Sequence, residues 1–266
     1  MLNIHSPISH SIIQISPPRH CMNVQPNRGL VCLPHAGGNA SFFRAWGMKT
    51  PPQLGLYAIQ YPGREERMGD KCHTSMSQLM HELVPVFLHQ FHYMPYVLLG
   101  HSMGAAIAFE LCHRLEKINM APVAIILSSH PPLNKIVPSK FHQKTTPELW
   151  QEMVRIGGTH IDILHQKELM SILTPPLRFD YQLIEQYKPD LSIKLTTQII
   201  VCGGDNDPDI DIECLQGWQS FSSTPIEVLT YSGGHFYLVG HAQALIEKAE
   251  QLLRRNCVPS TRESLP

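Results

Sequence analysis

A chain of 266 residues with 43% apolar and 16% charged side chains has the material for one large packed domain or two small ones, and lacks the composition of a disordered segment. A formal net charge of −1 provides no basic face for nucleic acid, and no apolar run reaches the length of a membrane-spanning helix. Met1 to His20 lack the basic start and unbroken apolar core of a secretory signal. The seven cysteines are an odd number with no C-x-x-C pair, so the reading is a cytoplasmic protein, for which a monomer suffices.

Residues 1–27 are rich in Ser, Pro, His and Asn without a clear period and read as a loose arm, in which Ser11 to Ile15 could pair as an edge strand. The compact apolar run Gly29-Leu30-Val31-Cys32-Leu33 predicts a buried strand ending in Pro34-His35-Ala36-Gly37-Gly38. Two glycines at a strand end let backbone approach a substrate, and the N–H of Ala36 is a candidate donor there. A second strand covers Leu54–Tyr61 and stops at Pro62-Gly63. The mixed-charge loop Arg64-Glu65-Glu66-Arg67 reads as a solvated face or as local ion pairs. Ser75 and Gln78 have capping-box spacing, and an apolar stripe from Leu79 to Phe91 predicts a helix to about His92, kinked or broken near Leu83 by Pro85.

Tyr96-Val97-Leu98-Leu99 is a further buried strand, and Ala105 to Leu115 keep helical spacing. Between them Gly100-His101-Ser102-Met103-Gly104 spells Gly-x-Ser-x-Gly, a nucleophile on a sharp strand-to-helix turn. Gly100 and Gly104 leave room for the crossing backbone. The Ser102 hydroxyl then stands at a helix N-terminus, where N–H groups, Met103 first, face a developing negative charge. Val123–Leu127 gives another strand. From Pro131 to Pro189 the rhythm lapses into helical pieces, Glu148–Ile156, Lys167–Leu173 and Leu177–Tyr187, the profile of a lid inserted between core strands. It resumes with the strand Thr196–Cys202, helical residues Ile210–Phe221, the strand Ile226–Tyr231 and the amphipathic helix Ala242–Leu253. The alternation predicts an α/β fold, a mostly parallel central sheet with helices on both faces. One domain is expected over 28–254, with the lid at about 131–189 and a flexible tail at 255–266.

Three strand ends then offer a serine, a carboxylate and a histidine in the chain order Ser102, Asp207, His235. Ser102 needs a base within hydrogen-bond reach, and His235 can take its proton and return it to a leaving group. Asp207 would hold the imidazole tautomer; Asp205 is its rival two residues away, and Asp207 is preferred because Pro208 fixes the turn after it. Among sixteen histidines, His89 and His92 lie one helical turn apart without a third ligand, and His81-Glu82 does not continue to His-Glu-x-x-His. No metal site follows. Neither a dinucleotide fingerprint nor a P-loop is present, so no cofactor is expected.

The segments Leu33-Pro34-His35-Ala36-Gly37-Gly38, Gln60-Tyr61-Pro62-Gly63-Arg64, Gly100-His101-Ser102-Met103-Gly104-Ala105, Pro176-Leu177-Arg178 and Gly233-Gly234-His235-Phe236 together resemble the type II thioesterases. These are α/β-hydrolases that accompany polyketide and non-ribosomal peptide synthases, and the likeness runs over roughly residues 28–254. It implies hydrolysis of acyl groups from the phosphopantetheine arm of an acyl or peptidyl carrier protein, in an editing or housekeeping role. By motif it carries Ser102, His235 and Asp207 over as the triad and Met103 and Ala36 as oxyanion donors. Where the family often has Arg-Ala-Asp after Pro-Leu, this chain has Arg178-Phe179-Asp180, a departure that bears on acyl preference. A carrier's acidic helix would favour basic residues at the entrance, and Lys135, Lys140, Lys144 and Arg155 are candidates. The competing readings are a serine esterase, lipase or acyltransferase for free small molecules, and a hydrolase-like binding module without activity.

Overall fold

The computed structural model describes residues 11–16 and 25–255. Its strands are β1 (Ile12–Ser16), β2 (Arg28–Leu33), β3 (Leu54–Ile59), β4 (Tyr96–His101), β5 (Ala124–Ser128), β6 (Gln198–Gly204) and β7 (Glu227–Tyr231). Its α-helices are α1 (Met76–Gln90), α2 (Met103–Glu116), α3 (Thr146–Arg155), α4 (Lys167–Glu185), α5 (Ile212–Gln216) and α6 (Ala242–Arg255). The strands form one seven-stranded sheet in the order β1-β3-β2-β4-β5-β6-β7. All neighbours are parallel except β1, which runs antiparallel to β3 at the edge, with Ile12 opposite Ile59. The edge strand allowed within the N-terminal arm therefore forms; the rest of residues 1–24, and residues 256–266 of the expected tail, lie outside the described residues.

Alternation along each strand sends side chains into two separate cores, which is why the central strands are apolar on both faces. Leu30, Cys32, Val97, Leu99, Ala124, Ile126 and Ile200 point to the face covered by α6 and a 3₁₀ helix at Ala40–Lys49. Val31, Leu33, Leu98, Ile125, Leu127 and Val201 point to the face covered by α1, α2 and the helices of 131–189.

Two helices run on where prolines suggested interruption. α1 is continuous through Pro85, and Lys167–Leu173 and Leu177–Tyr187 are parts of one helix, α4, which passes through Pro175 and Pro176. A proline removes the hydrogen bond to the carbonyl four residues earlier, here on His81, Ser171 and Ile172. All three residues are exposed, on the solvent side of their helices. Buried Leu79, Leu83 and Phe87, and Met170, Leu177 and Leu183, hold the opposite faces in place.

The mixed-charge loop forms a local ion pair of the kind expected, Arg67 with Asp70 at 2.7 Å, but not the solvated face. Arg64 and Arg67 are only 5% and 6% exposed, and neither lies on a solvated face. Arg67 grips Glu82 of α1 with two N–H groups (2.6 and 3.0 Å), while the Ser11 hydroxyl (2.7 Å) and His73 Nε2 (2.8 Å) bind the same carboxylate. This ties the edge strand, the loop and α1 together. Burial alone would raise the Glu82 pKa, but the bonds from His73, Arg67 and Ser11 outweigh it and hold the carboxyl at about 2. A folded value below the unfolded one stabilises the fold fully above the ordinary Glu range, and the contribution is lost as pH falls toward 2. The gap corresponds to about 3 kcal/mol. Glu82→Gln is expected to lower unfolding stability at pH 7 by about that amount, and to flatten the loss between roughly pH 4.5 and pH 2. Urea unfolding at a series of pH values checks it; parallel wild-type and variant curves would show that the carboxylate does not carry the acid limb.

Candidate active site

The strand β4 hands over to α2 through a single residue, Ser102, at φ 54° and ψ −123°. This conformation is sparsely populated for a residue with a Cβ, and the surroundings enforce it. The Ser102 N–H donates to the Ser128 carbonyl at 2.8 Å, and the Ser102 carbonyl accepts from the Ala105 N–H at 2.8 Å. A Cβ on Gly100 would lie 2.1 Å from the Gly104 carbonyl oxygen, and one on Gly104 would lie 2.1 Å from that of Leu33. Only glycine fits at either place. The Ser102 hydroxyl makes no capping bond to α2, and Met103 is the first residue of that helix.

The loops after β6 and β7 meet at the end of the sheet where β4 also ends. Gly204 lets them touch, since a Cβ there would lie 2.3 Å from the carbonyl oxygens of Gly233 and Gly234. His235 Nδ1 and Asp207 Oδ2 are 2.9 Å apart, with both side chains almost fully buried. Asp205 instead accepts the Gly233 N–H at 2.9 Å and so holds the histidine loop. The Ser129 hydroxyl donates to the His235 carbonyl at 3.2 Å. Of the two carboxylates that the sequence left in competition, the fold brings Asp207 to the imidazole. His235 Nε2 is buried with no hydrogen-bond partner, so the hydroxyl–imidazole bond expected with Ser102 is not made in this state. Such bonds are commonly long before substrate arrives.

Burial opposes ionisation of Asp207, but the His235 hydrogen bond and charge, the Asp209 N–H and the Ser129 hydroxyl together bring its pKa below the usual value. Three further histidines crowd the site. Burial first, then the neighbouring His235, push His35 down to about 3 and His101 well below its ordinary value. His130 falls to about 4, again chiefly through burial. All three are neutral at pH 7.

Residues 35–38 form a tight turn closed by the Gly38 N–H on the His35 carbonyl (2.9 Å), with Gly37 at φ +77°. Gly37 occupies the position where a type II turn requires a positive φ. Ala36, before it, lies with Ser102 and Met103 on the wall of a cavity of about 150 Å³. The other walls are His35, His130 and Phe236 and, from the helical segment, Met153, Ile156, Tyr181 and Ile184. An open groove of about 830 Å³ between α1, α2 and the end of α4 touches none of these residues. Among the basic residues considered for an entrance, Arg155 is bound to Glu152 (2.7 Å) and Asp209 (2.6 Å).

The fold, with a serine on the turn between central strand and helix and an aspartate-bound histidine on a later strand end, is that of an α/β-hydrolase. The chain belongs to the thioesterase domain family, whose model matches residues 28–253. It is 33% identical over 224 residues to a probable cadicidin biosynthesis thioesterase of Streptomyces griseus, covering 84% of this chain and 62% of that relative's length. It is 32% identical over 232 residues to the gramicidin S biosynthesis protein GrsT of Aneurinibacillus migulanus, covering 86% and 90%. The structure is similar to that of the type II thioesterase BorB from the borrelidin biosynthetic cluster, with TM-score 0.82, 32% identity, and 95% and 100% coverage. YbtT, a type II thioesterase from the yersiniabactin pathway, gives TM-score 0.82 at 26% identity, covering 92% and 98%.

Residue-by-residue reading missed Arg64, Asp180 and Gly37 as a unit. Arg64 and Asp180 pair at 2.7 and 2.8 Å across 116 positions of chain. The only signal was that both lie in or beside motifs shared with the family. If Asp207 orients the base, Asp207→Asn should lower kcat/KM on a thioester by about 10⁴, the scale of a wrong tautomer in a related triad. Asp205→Asn, whose carboxylate binds the Gly233 N–H and the Asn206 amide rather than the imidazole, should cost far less. Equal losses in the two variants would reverse the assignment.

Proposed function

We propose that the protein is a serine thioesterase that hydrolyses acyl groups from the phosphopantetheine arm of acyl or peptidyl carrier proteins. Its role on this reading is editing or housekeeping in polyketide or non-ribosomal peptide synthesis, in the cytoplasm. The observation that carries the reading is the buried Asp207–His235 pair at 2.9 Å, on strand-end loops at the same end of the sheet as the strained Ser102. The relatives named above, which bear thioesterase or peptide-biosynthesis titles, support the substrate class.

In the proposed reaction the Ser102 oxygen attacks the thioester carbonyl carbon as its proton passes to His235 Nε2. Negative charge collects on the carbonyl oxygen, facing the backbone N–H groups of Met103 and Ala36. The C–S bond then breaks, and the pantetheine sulfur leaves with the proton from His235. Water attacks the acyl-serine ester, His235 takes its proton, and collapse returns that proton to the Ser102 oxygen and frees the acid. Asp207 stabilises the imidazolium in both halves. Because His35, His101 and His130 stay neutral, none of these three imidazoles opposes that charge. On this reading α3 and α4 form the lid over the chamber.

The test is mass spectrometry of carrier proteins loaded with different acyl groups, incubated with wild type and with Ser102→Ala. Wild type should release the acid and leave the free arm, and Ser102→Ala should lose activity by about 10³-fold or more. Faster turnover of simple oxygen esters with no gain from the carrier would favour a small-molecule esterase. Undiminished activity in Ser102→Ala would overturn the mechanism.

A further inference from the structure

Two of the family-like segments have no part in the chemistry above, and the structure joins them at the oxyanion loop. From the segment Gln60–Arg64, the Tyr61 hydroxyl donates to the Pro34 carbonyl (3.2 Å), and Gln60 Oε1 accepts the Ala40 N–H (2.8 Å). Arg64 Nη1 donates to the Gly38 carbonyl at 2.8 Å. From α4, Asp180 Oδ2 accepts the Gly37 N–H at 2.8 Å, while its two oxygens take the Arg64 fork. Peptide groups on both sides of Ala36 are thus held from outside the loop.

The tether comes from the helix face that walls the chamber. Leu177, Asp180, Tyr181 and Ile184 stand at i, i+3, i+4 and i+7, one side of α4. Leu177 packs so closely on Gly37 that a Cβ there would meet its Cδ1 at 2.9 Å. Tyr181 and Ile184 line the cavity in front of Ser102. One helix face therefore touches the acyl space and grips the turn next to it.

We infer that Asp180 and Arg64 are positioning residues that fix the Ala36 N–H to helix α4, so that the oxyanion hole is assembled only while α4 lies against the chamber. An acyl group too bulky for the space beside Tyr181 and Ile184 displaces the helix and loosens the Gly37 tether. Such a substrate is bound but turned over slowly, because the lost interaction is one made in the transition state. This inference rests on the proposed thioesterase reading, with Ala36 as a donor.

The experiment compares wild type with Asp180→Asn and Arg64→Lys, both near in size to the native residues, on a short acyl-carrier thioester. Loss or misplacement of one oxyanion donor lowers kcat by about 10²-fold or more, and KM should change less than about threefold if ground-state binding is spared. Affinity for propylboronic acid, which forms a tetrahedral adduct on the serine, should fall in step with kcat. A purely structural role would lower thermal stability and leave these two readouts at wild-type values in the folded fraction, which would overturn the inference.

Removing one partner of a buried pair is destabilising, so a second measurement uses wild type alone. Hydrogen exchange at the Gly37 amide is followed with the serine phosphonylated by a short and by a long alkyl fluorophosphonate, each adding its phosphorus to the serine oxygen with loss of fluoride. Faster exchange with the long chain only is expected; equal protection overturns the inference. Wild type that is inactive on every acyl-carrier thioester, or activity that survives Ser102→Ala, would instead remove the underlying reading.

Discussion

The backbone of Ser102 is the constraint around which the rest is arranged. A residue with a Cβ at φ 54° costs of the order of 1–3 kcal/mol and persists only where its surroundings leave no alternative. Here β4 is paired on both sides, with β2 and β5, and α2 crosses so near to β2 that Gly104 sits under the Leu33 carbonyl. The peptide before Ser102 is pinned to β5 and the one after it to α2. Relaxing the serine would mean unpairing the centre of the sheet. Because the strands from β2 onward in the sheet order are parallel, the loops after β2, β5, β6 and β7 all open at the same end. Chemistry gathers where the topology places those ends together.

Burial then sorts four imidazoles that would otherwise compete. His35, His101, His130 and His235 lie near one another, with His101 and His235 ring centres 5.2 Å apart. His235 is the one with a carboxylate, Asp207, on its Nδ1. His101 Nδ1 meets the Ser128 hydroxyl, which meets the Tyr237 hydroxyl, and His130 Nδ1 meets the Pro131 carbonyl. Burial disfavours the protonated form of an imidazole. It is the largest cause of the low pKa values of His35 and His130, and the Asp207 contact sets His235 apart by geometry.

Much of this was legible in the chain, for physical reasons. Strands buried on both faces need unbroken apolar runs, so β2 to β6 stood out. The strand-to-helix turn needs small residues on both sides of Ser102, so Gly100 and Gly104 marked it. What stayed hidden depended on partners far away in sequence. A proline inside α1 or α4 reads as a break until the residues whose carbonyls it orphans are known to be exposed. Asp205 and Asp207 are interchangeable on paper, and only the fold shows one on a backbone N–H and the other on an imidazole. Arg64 beside two glutamates looks solvated, yet its partner is Asp180, more than a hundred residues on. Local charge patterns are silent about such pairs.

The division of labour between the strand ends and the helical segment follows from the same geometry. Ser102, His235 and Asp207 sit on turns at the ends of β4, β7 and β6, whose backbone is held by the sheet. The far wall of the cavity comes instead from Met153, Ile156, Tyr181 and Ile184, side chains on α3 and α4 that bond to none of the three. Those helices are fastened to each other, Trp150 Nε1 donating to the Thr174 hydroxyl at 2.8 Å and the Tyr181 hydroxyl meeting Met153 Sδ at 3.7 Å. A cavity of about 150 Å³ has room for a group about the size of benzene. On the proposed reading, reaction type is therefore written at the strand ends and acyl size in the helices. The Asp180–Arg64 pair at the turn after β2 and the Arg155–Asp209 pair beside Asp207 are places where the two are physically joined.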